Sequence, residues 1–434
     1  AYQWRRNSTP ITGATSATYR FLANDATAES GNYDVVVTAG GTTASTTSNL
    51  AAVTVFATPF FGPNLTGVHE LAAGEGITLT AVDTTTPAER LRWRRNGRLL
   101  PTVTGRILEL TNLQAADAGW YQLQTTSATG GISVSAAVFL QVRVPSRTIA
   151  WGSNTSGQSS VPATLTDPLQ VTAGYSHTLA IRSGGTVTGW GSNTAKQLTL
   201  PTGLTKVVQV AAGYTHSVAL ISDGTVTAWG ETTARQNLGP SSLTGVVAIA
   251  AGRVHTLALR SNGTVAGWGE PSYGQEMVPA GLSNIVAIAA GSDHSLALRS
   301  DGLIYAWGNS DNGRTTIPSG LTNVIAIAAG AEHSLALRAD GRVVAWGKSD
   351  NSRTAVPSNL TDVIAIAAGQ AHSVAVKRDG TLVAWGLSTL GQTTIPYNLG
   401  SVHQLSAVGG FHNVALRDTR QDLAPAILTS PDNR

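Results

Sequence analysis

Seven histidines recur in one frame, at His177, His216, His255, His294, His333, His372 and His412, each closing a Gly-x-x-His. Imidazoles in such numbers suggest metal binding or acid–base chemistry. Their spacing argues against both. A reaction centre needs one unique constellation, whereas a residue that returns every 39 positions, 40 at the last interval, does the same job each time. These histidines are therefore read as structural groups bonding backbone near a turn. His69 and His403 lie outside the frame, and neither has a partner at metal-ligand spacing. Asp311-Asn312-Gly313 and Asp350-Asn351 carry part of a calcium loop, but the other ligands of an Asp-x-Asp-x-Asp-Gly loop are absent and turn chemistry accounts for them. There is no Gly-x-Ser-x-Gly, phosphate loop or paired-histidine motif. Zero cysteines remove disulfides, thiol nucleophiles, thiolate zinc sites and iron–sulfur clusters together. No catalytic residue, metal ligand or cofactor is nominated, and the expectation is a non-enzyme.

The elements that carry these residues follow from composition and period. Of 434 residues 42% are hydrophobic and 12% charged, against about 25% charged in an average globular domain. With 47 Gly and 17 Pro beside many Thr, Ser, Val and Ala, the usage favours short strands and turns, so an all-β chain is expected. A formal charge of +3 is too thin to attract a polyanion, and no nucleic-acid partner is expected. The one basic run is Arg90, Arg92, Arg94, Arg95 and Arg98; alternation points Arg92 and Arg94 away from Trp93, which predicts an exposed strand face. No apolar run approaches the roughly 18 residues of a membrane span.

Trp-Gly occurs at Trp151, Trp190, Trp229, Trp268, Trp307, Trp346 and Trp385, always 39 residues apart, with a proline in the same frame from Pro162 to Pro396. One unit reads Val324-Ile325-Ala326-Ile327-Ala328-Ala329, a run suited to a strand buried on both faces, then His333 to Arg338, then Asp340-Gly341, then Arg342 to Trp346. Asp-Gly between strand-like runs signals a hairpin with both central residues at positive φ. About ten looser residues follow, with room for a short fourth strand. Such a unit suits a β-propeller blade, its tryptophans packing the blade. Trp151 precedes the first Gly-x-x-His and His412 follows the last Trp-Gly, so Arg147 to Trp151 can complete the sheet begun at His412. The expected fold is a seven-bladed β-propeller over 146–420, closed by its N-terminal strand.

The run Ala289 to Gly308, Ala-Ala-Gly-x-x-His-Ser-Leu-Ala-Leu-Arg-Ser-Asp-Gly-x-x-x-Ala-Trp-Gly, resembles the regulator of chromosome condensation repeat. The resemblance spans about 147–420 and implies a seven-bladed platform. That family serves as exchange factors, inhibitors and bacterial surface proteins, and these compact units look closest to bacterial members, including a secreted propeller that inhibits β-lactamases. No exchange-factor motif carries over. Ahead of the propeller, Asp117-Ala118-Gly119-Trp120-Tyr121 resembles the corner of immunoglobulin-like domains, with Trp93 as core tryptophan, Tyr121 as corner tyrosine, and Ala81 and Leu123 where that family often has cysteines. Residues 58–145 are read as one such domain. Residues 1–57 are read as the back half of another, Trp4 paralleling Trp93 and Tyr33 the corner, so that the chain reads as a piece of a longer protein or has its missing strands supplied by another segment. Residues 421–434 are read as a tail or linker. Only Pro145 and Ser146 separate sandwich from closing strand, which predicts a sandwich clamped near the propeller rim.

Positions constant across units are held by blade structure, and positions that vary are free for blade-specific work. Between Gly and His the variable residues include Tyr175, Tyr214, Arg253, Asp293, Glu332, Gln370 and Phe411. Strand direction puts these turns and the loops after Trp-Gly, with Tyr273 among them, on one face, and the Asp-Gly hairpins on the other. Aromatics and arginine mixed with acids suit protein recognition. The expected function is a binding or adhesion protein, extracellular or at the cell surface, with the sandwiches as spacers and a protein or cell-surface partner on this face. An inhibitor of a secreted enzyme and a self-associating fibre segment are the alternatives.

Overall fold

The computed structural model describes residues 1–19, 31–38, 45–53, 68–81, 90–126, 132–240, 243–397, 399 and 401–420. The tail expectation for 421–434 and the 57/58 boundary fall outside them. Seven three-stranded antiparallel sheets form the blades. Blade 1 pairs Pro168–Ala173, His177–Arg182 and Thr186–Gly191 as inner, middle and outer strands, and blades 2 to 6 repeat this order. In blade 7 the inner and middle strands are Val402–Ser406 and His412–Asp418, and the outer strand is Ser146–Gly152, in register from Ser146 opposite Asp418 to Gly152 opposite His412. The ring is thus closed by pairing of a strand from the front of the chain with one from the back. Among the described residues no helix is long and apolar enough to cross a membrane.

Each middle strand is buried throughout its five leading residues, which explains the uniform His-Ser/Thr-Leu/Val-Ala-Leu pattern. The seven Trp-Gly tryptophans are buried, and each indole Nε1 donates to the carbonyl of residue 158, 197, 236, 275, 314, 353 or 392. They pack blade against blade, as with Trp346, which joins Val324 of its own blade to Leu296 and Leu298 of the preceding one.

Three expectations are corrected. Among the described residues the looser segment holds no fourth strand; after Trp307 and Trp346 it forms single 3-10 turns at Asp311–Gly313 and Asp350–Ser352. The hairpins need positive φ only at glycine: Gly224 sits at φ 82°, while Asp223 stays in ordinary space and its Oδ1 accepts from Thr225 N at 2.9 Å. This is a three-residue loop with a left-handed glycine. Inner strands are not buried on both sides, because one side lines an axial channel of about 240 Å³ walled largely by Ala, Val and Ile. Each inner strand also bulges at its second residue, between Val207 and Gln209 in blade 2 and between Ile285 and Ala287 in blade 4. The bulge re-aims Val208 and Val286 toward the hairpin face.

That face receives the sandwich. Residues 68–143 form a sheet ordered Val68–Ala72, Val138–Arg143, Gly119–Thr126, Leu91–Arg95 and Arg98–Thr104, facing a pair made of Ile77–Thr80 and Ile107–Leu110. Trp93, Tyr121 and Leu123 are fully buried between them with Ala81, and Tyr121 Oη donates to Asp117 O at 2.7 Å, a tyrosine corner compatible with the immunoglobulin-like reading. In residues 1–53 one sheet is described, ordered Thr9–Pro10, Tyr2–Arg6, Gly31–Thr38 and Ser45–Thr47. Asn7 Oδ1 accepts from Asn32 N there as Asn96 Oδ1 accepts from Trp120 N in the second unit, both at 2.8 Å. The sandwich does not sit at the rim. Trp120 and Phe139 pack with Val208 and, at its edge, Val247, while Arg98 Nη2 donates to Ile325 O at 2.7 Å, so the sandwich lies over the axial mouth. Coverage is one-sided: Val208 and Val286 are buried, whereas the equivalent Ile325 and Ile364 remain 40% and 45% exposed. Arg94 and Arg98 accordingly face the propeller, which corrects the expectation of an exposed basic strand face.

Candidate functional site

The opposite face is built from the Gly-x-x-His turns. In the first six the glycine N–H donates to the histidine carbonyl, as Gly291 N to His294 O at 2.9 Å, and the imidazole folds back over the glycine Cα. A Cβ on Gly291 would lie 2.3 Å from His294 Cε1 and 2.5 Å from the carbonyl oxygen of Gly330 in the next blade. Gly291→Ala is expected to cost about 2–3 kcal/mol through overpacking, read as a lower denaturation midpoint at unchanged slope; an unmoved midpoint would contradict the packing account. The residue after the glycine is tied to the next blade, as Tyr175 N to Gly213 O at 3.1 Å and Gln370 N to Gly410 O at 2.8 Å. Backbone is thereby fixed and the side chain is left to vary.

The histidines do not bond backbone, as the sequence suggested. His177 Nε2 meets Ser217 Oγ of the next blade at 3.1 Å, His216 meets Thr256, His255 meets Ser295, His294 meets Ser334, His333 meets Ser373, His372 meets Asn413 Oδ1 and His412 returns to Thr178. Seven side-chain bonds therefore run round the whole ring. Among the described residues no group of three or more His, Asp or Glu is arranged to hold a metal ion.

The structure brings several of the predicted residues together over the axis. Tyr175 and Tyr214 stack with ring centroids 4.3 Å apart, and Phe411 meets Tyr175 edge-on at 6.2 Å. Tyr214 reaches across the axial mouth, its hydroxyl donating to Gln370 Oε1 in blade 6 and meeting Ser292 Oγ of blade 4 at 2.8 Å. Burial pushes that phenol up to about 12. Tyr214 and Gln370 thus cap the channel instead of standing free. Arg253 grips Asp293, with Nη2 at 2.6 Å and Nε at 3.0 Å from Oδ1. Glu332 sits among Lys348 at 2.9 Å, Arg353 at 3.4 Å and Arg314 at 3.5 Å. Of the predicted residues, Tyr175 and Tyr273 are large side chains left open, 37% and 50% exposed.

Sequence reasoning missed Arg314 and Arg353. The signal was there: seven residues after each Trp of the frame stands Gln158, Gln197, Gln236, Gln275, Arg314, Arg353 or Gln392. This residue's carbonyl receives both the indole N–H and the hydroxyl or amide that follows each histidine, as with Gln275 O, which accepts from Trp307 and from Ser295 Oγ.

The regulator of chromosome condensation (RCC1) repeat model matches residues 169–197, 207–236, 246–275, 285–314, 324–353 and 363–392, each running from an inner strand to this Gln or Arg. Six of the seven blades carry RCC1 repeats. Among solved structures, yeast RCC1 (Prp20) bound to Kap60 superposes with TM-score 0.55 at 21% identity, covering 63% of this chain and 89% of that one. Prp20p from Saccharomyces cerevisiae, described with its binding to Gsp1p and histones, gives 0.54 at 21% over 63% and 92%. Human WBSCR16 gives 0.51 at 20% over 63% and 99%. At these identities the likeness is one of fold. No curated protein matches the chain. The seventh blade, split between the two ends of the propeller segment, is the one without a matched repeat.

Proposed function

We propose that this RCC1-repeat propeller is a non-enzymatic protein-recognition module whose turn face takes the partner, in an extracellular or cell-surface protein with the strand-rich units as spacers. One observation carries the reading. The sandwich occupies the hairpin face, and the turn face opposite carries, at blade-specific positions, the aromatic cluster of Tyr175 and Phe411, the Arg253–Asp293 pair and the half-exposed Tyr273. Tyrosine and arginine are enriched in the anchoring residues of protein interfaces. The RCC1 structure with Kap60, and the described binding of Prp20p to Gsp1p and histones, support a propeller of this kind as a protein platform. Two strand-rich units ahead of a disc give the order of a stalk and head, which supports the surface setting.

The test uses the full chain as bait in the producing culture. Tyr175→Ala with Tyr273→Ala is expected to abolish capture of a partner that the unchanged chain retains. Arg342→Ala, on an exposed hairpin of the other face, is expected to leave capture intact. Equal capture by all three, or by none, would overturn the assignment of the turn face. The class of the captured protein separates an adhesion role from inhibition of a secreted enzyme.

A further inference from the structure

Sandwich and propeller do not meet flush: a cavity of about 510 Å³ lies between them, continuous in its lining with the axial channel through Gln170, Gln209 and Gln404. Its size is that of a small-molecule pocket. Trp120 and Phe139, with ring centroids 5.0 Å apart, and the bulge residues Val208, Val247 and Val286 give it an apolar wall. The charges that line it are of one sign. Arg94 and Arg260 contribute guanidinium groups, and among the described residues no aspartate or glutamate lines the cavity.

Arg94 differs from the arginines that have a carboxylate partner. Arg95 pairs with Asp117, Arg143 with Glu70, Arg253 with Asp293, and Arg314 and Arg353 with Glu332. Arg94 has no ion pair among the described residues, and its buried Nε has no hydrogen-bond partner. Burial lowers its pKa with no opposing influence, yet a guanidinium does not give up its proton in a protein. A buried N–H of a charged group left unbonded is costly, and natural structures supply it with an acceptor. His403 brings no compensating anion, since its Nε2 is engaged by Ser146 Oγ at 2.9 Å and burial lowers its pKa.

We propose that this cavity is a binding site for an amphipathic monocarboxylate, with its apolar body against Trp120 and Phe139 and its carboxylate on Arg94. Inorganic phosphate fits less well, because it would leave the aromatic and valine wall uncovered.

The probe is 2-naphthoate, with neutral 2-naphthamide as its isostere, titrated calorimetrically into the full chain. Naphthoate is expected to bind at least about ten-fold more tightly than the amide, the scale of one charge-assisted contact. Arg94→Gln is expected to erase that preference while leaving amide binding in place. Gln141→Glu, which adds a carboxylate to the lining, is expected to weaken naphthoate alone and serves should Arg94→Gln fail to fold. Equal affinity for the two probes in the unchanged chain, no binding of either at millimolar concentration, or a preference that survives both substitutions would overturn the proposal.

Discussion

Acidification from pH 7 to below 5 is expected to unfold the propeller in one steep transition, well above the pH at which ordinary carboxylates titrate. The cause is the ring of histidines. Where His372 meets Asn413 the acceptor is a carbonyl oxygen, whose amide nitrogen donates to Gln392 O at 2.8 Å, so His372 must donate from Nε2. In the other six blades the partner hydroxyl spends its proton on the carbonyl of the Gln or Arg position, as Ser295 Oγ does on Gln275 O at 2.7 Å, so those histidines donate too. All seven are therefore neutral with the proton on Nε2, and all seven Nδ1 atoms are buried without a hydrogen-bond partner. A second proton would create a buried cation with nothing to receive it. Burial drives the pKa down from 6.5 to about 4 at His177 and His372 and to about 3 at His216, His255, His294, His333 and His412.

The unfolded chain binds these protons near pH 6.5 and the folded chain does not, so the stabilisation is complete above 6.5 and is lost as pH falls toward the folded values. Each histidine contributes about 1.4 kcal/mol per pH unit in that window. Seven acting together approach roughly 9–10 kcal/mol per unit, comparable with the whole stability of a domain. Tryptophan fluorescence and circular dichroism against pH read the transition. His294→Gln, which keeps a donor and cannot titrate, is expected to flatten the pH slope by about 1.4 kcal/mol per unit. A transition near pH 3 that ignores this substitution would assign acid unfolding to carboxylates instead.

The blade count, the strand order, the closing strand and the buried tryptophans were legible because they depend on the 39-residue period and on local alternation. The partner of each histidine was not, since it stands 40 or 41 residues on in a different sheet or, for His412, 234 residues back. Its trace in the sequence is small: a Ser, Thr or Asn follows every one of the seven histidines, which is the hydroxyl or amide that the preceding blade requires. Bulges at Val208 and Val286 hide inside uniform apolar runs, so nothing local announces that these residues face a neighbouring domain. Arg94 and Arg98 were misread for the same reason. Strand alternation says which side faces away from Trp93, but not whether water or another domain lies there. Tyr214 and Gln370 were singled out as variable turn residues, and in the structure they bond one another across the axis.

Cutting the chain to residues 153–420 is expected to abolish cooperative folding of the propeller, although six of its seven blades keep every strand. The cut removes Ser146–Gly152, leaving His412–Asp418 as an open edge along seven residue pairs. It also removes Trp151, which is packed against Val374, Val376, Leu399 and Val402 and bonded through Nε1 to Gln392 O. A buried tryptophan alone is worth about 3–5 kcal/mol, and each lost ladder bond adds about 0.5–1.5 kcal/mol. Together these reach the 5–15 kcal/mol that holds a typical domain. A circular permutant separates loss of closure from loss of the sandwich, because Ser146 lies opposite Asp418 as Thr186 lies opposite Arg182 in blade 1, where three residues join the strands. Carrying Ser146–Gly152 on a Ser-Asp-Gly hairpin after Asp418, with the chain beginning at Ser153, is expected to restore a single cooperative melt without any sandwich present. A truncated chain that melts as cooperatively as the permutant would mean that the ring does not depend on its closing strand. Failure of both would move that dependence to the sandwich seated on Val208 and Val286.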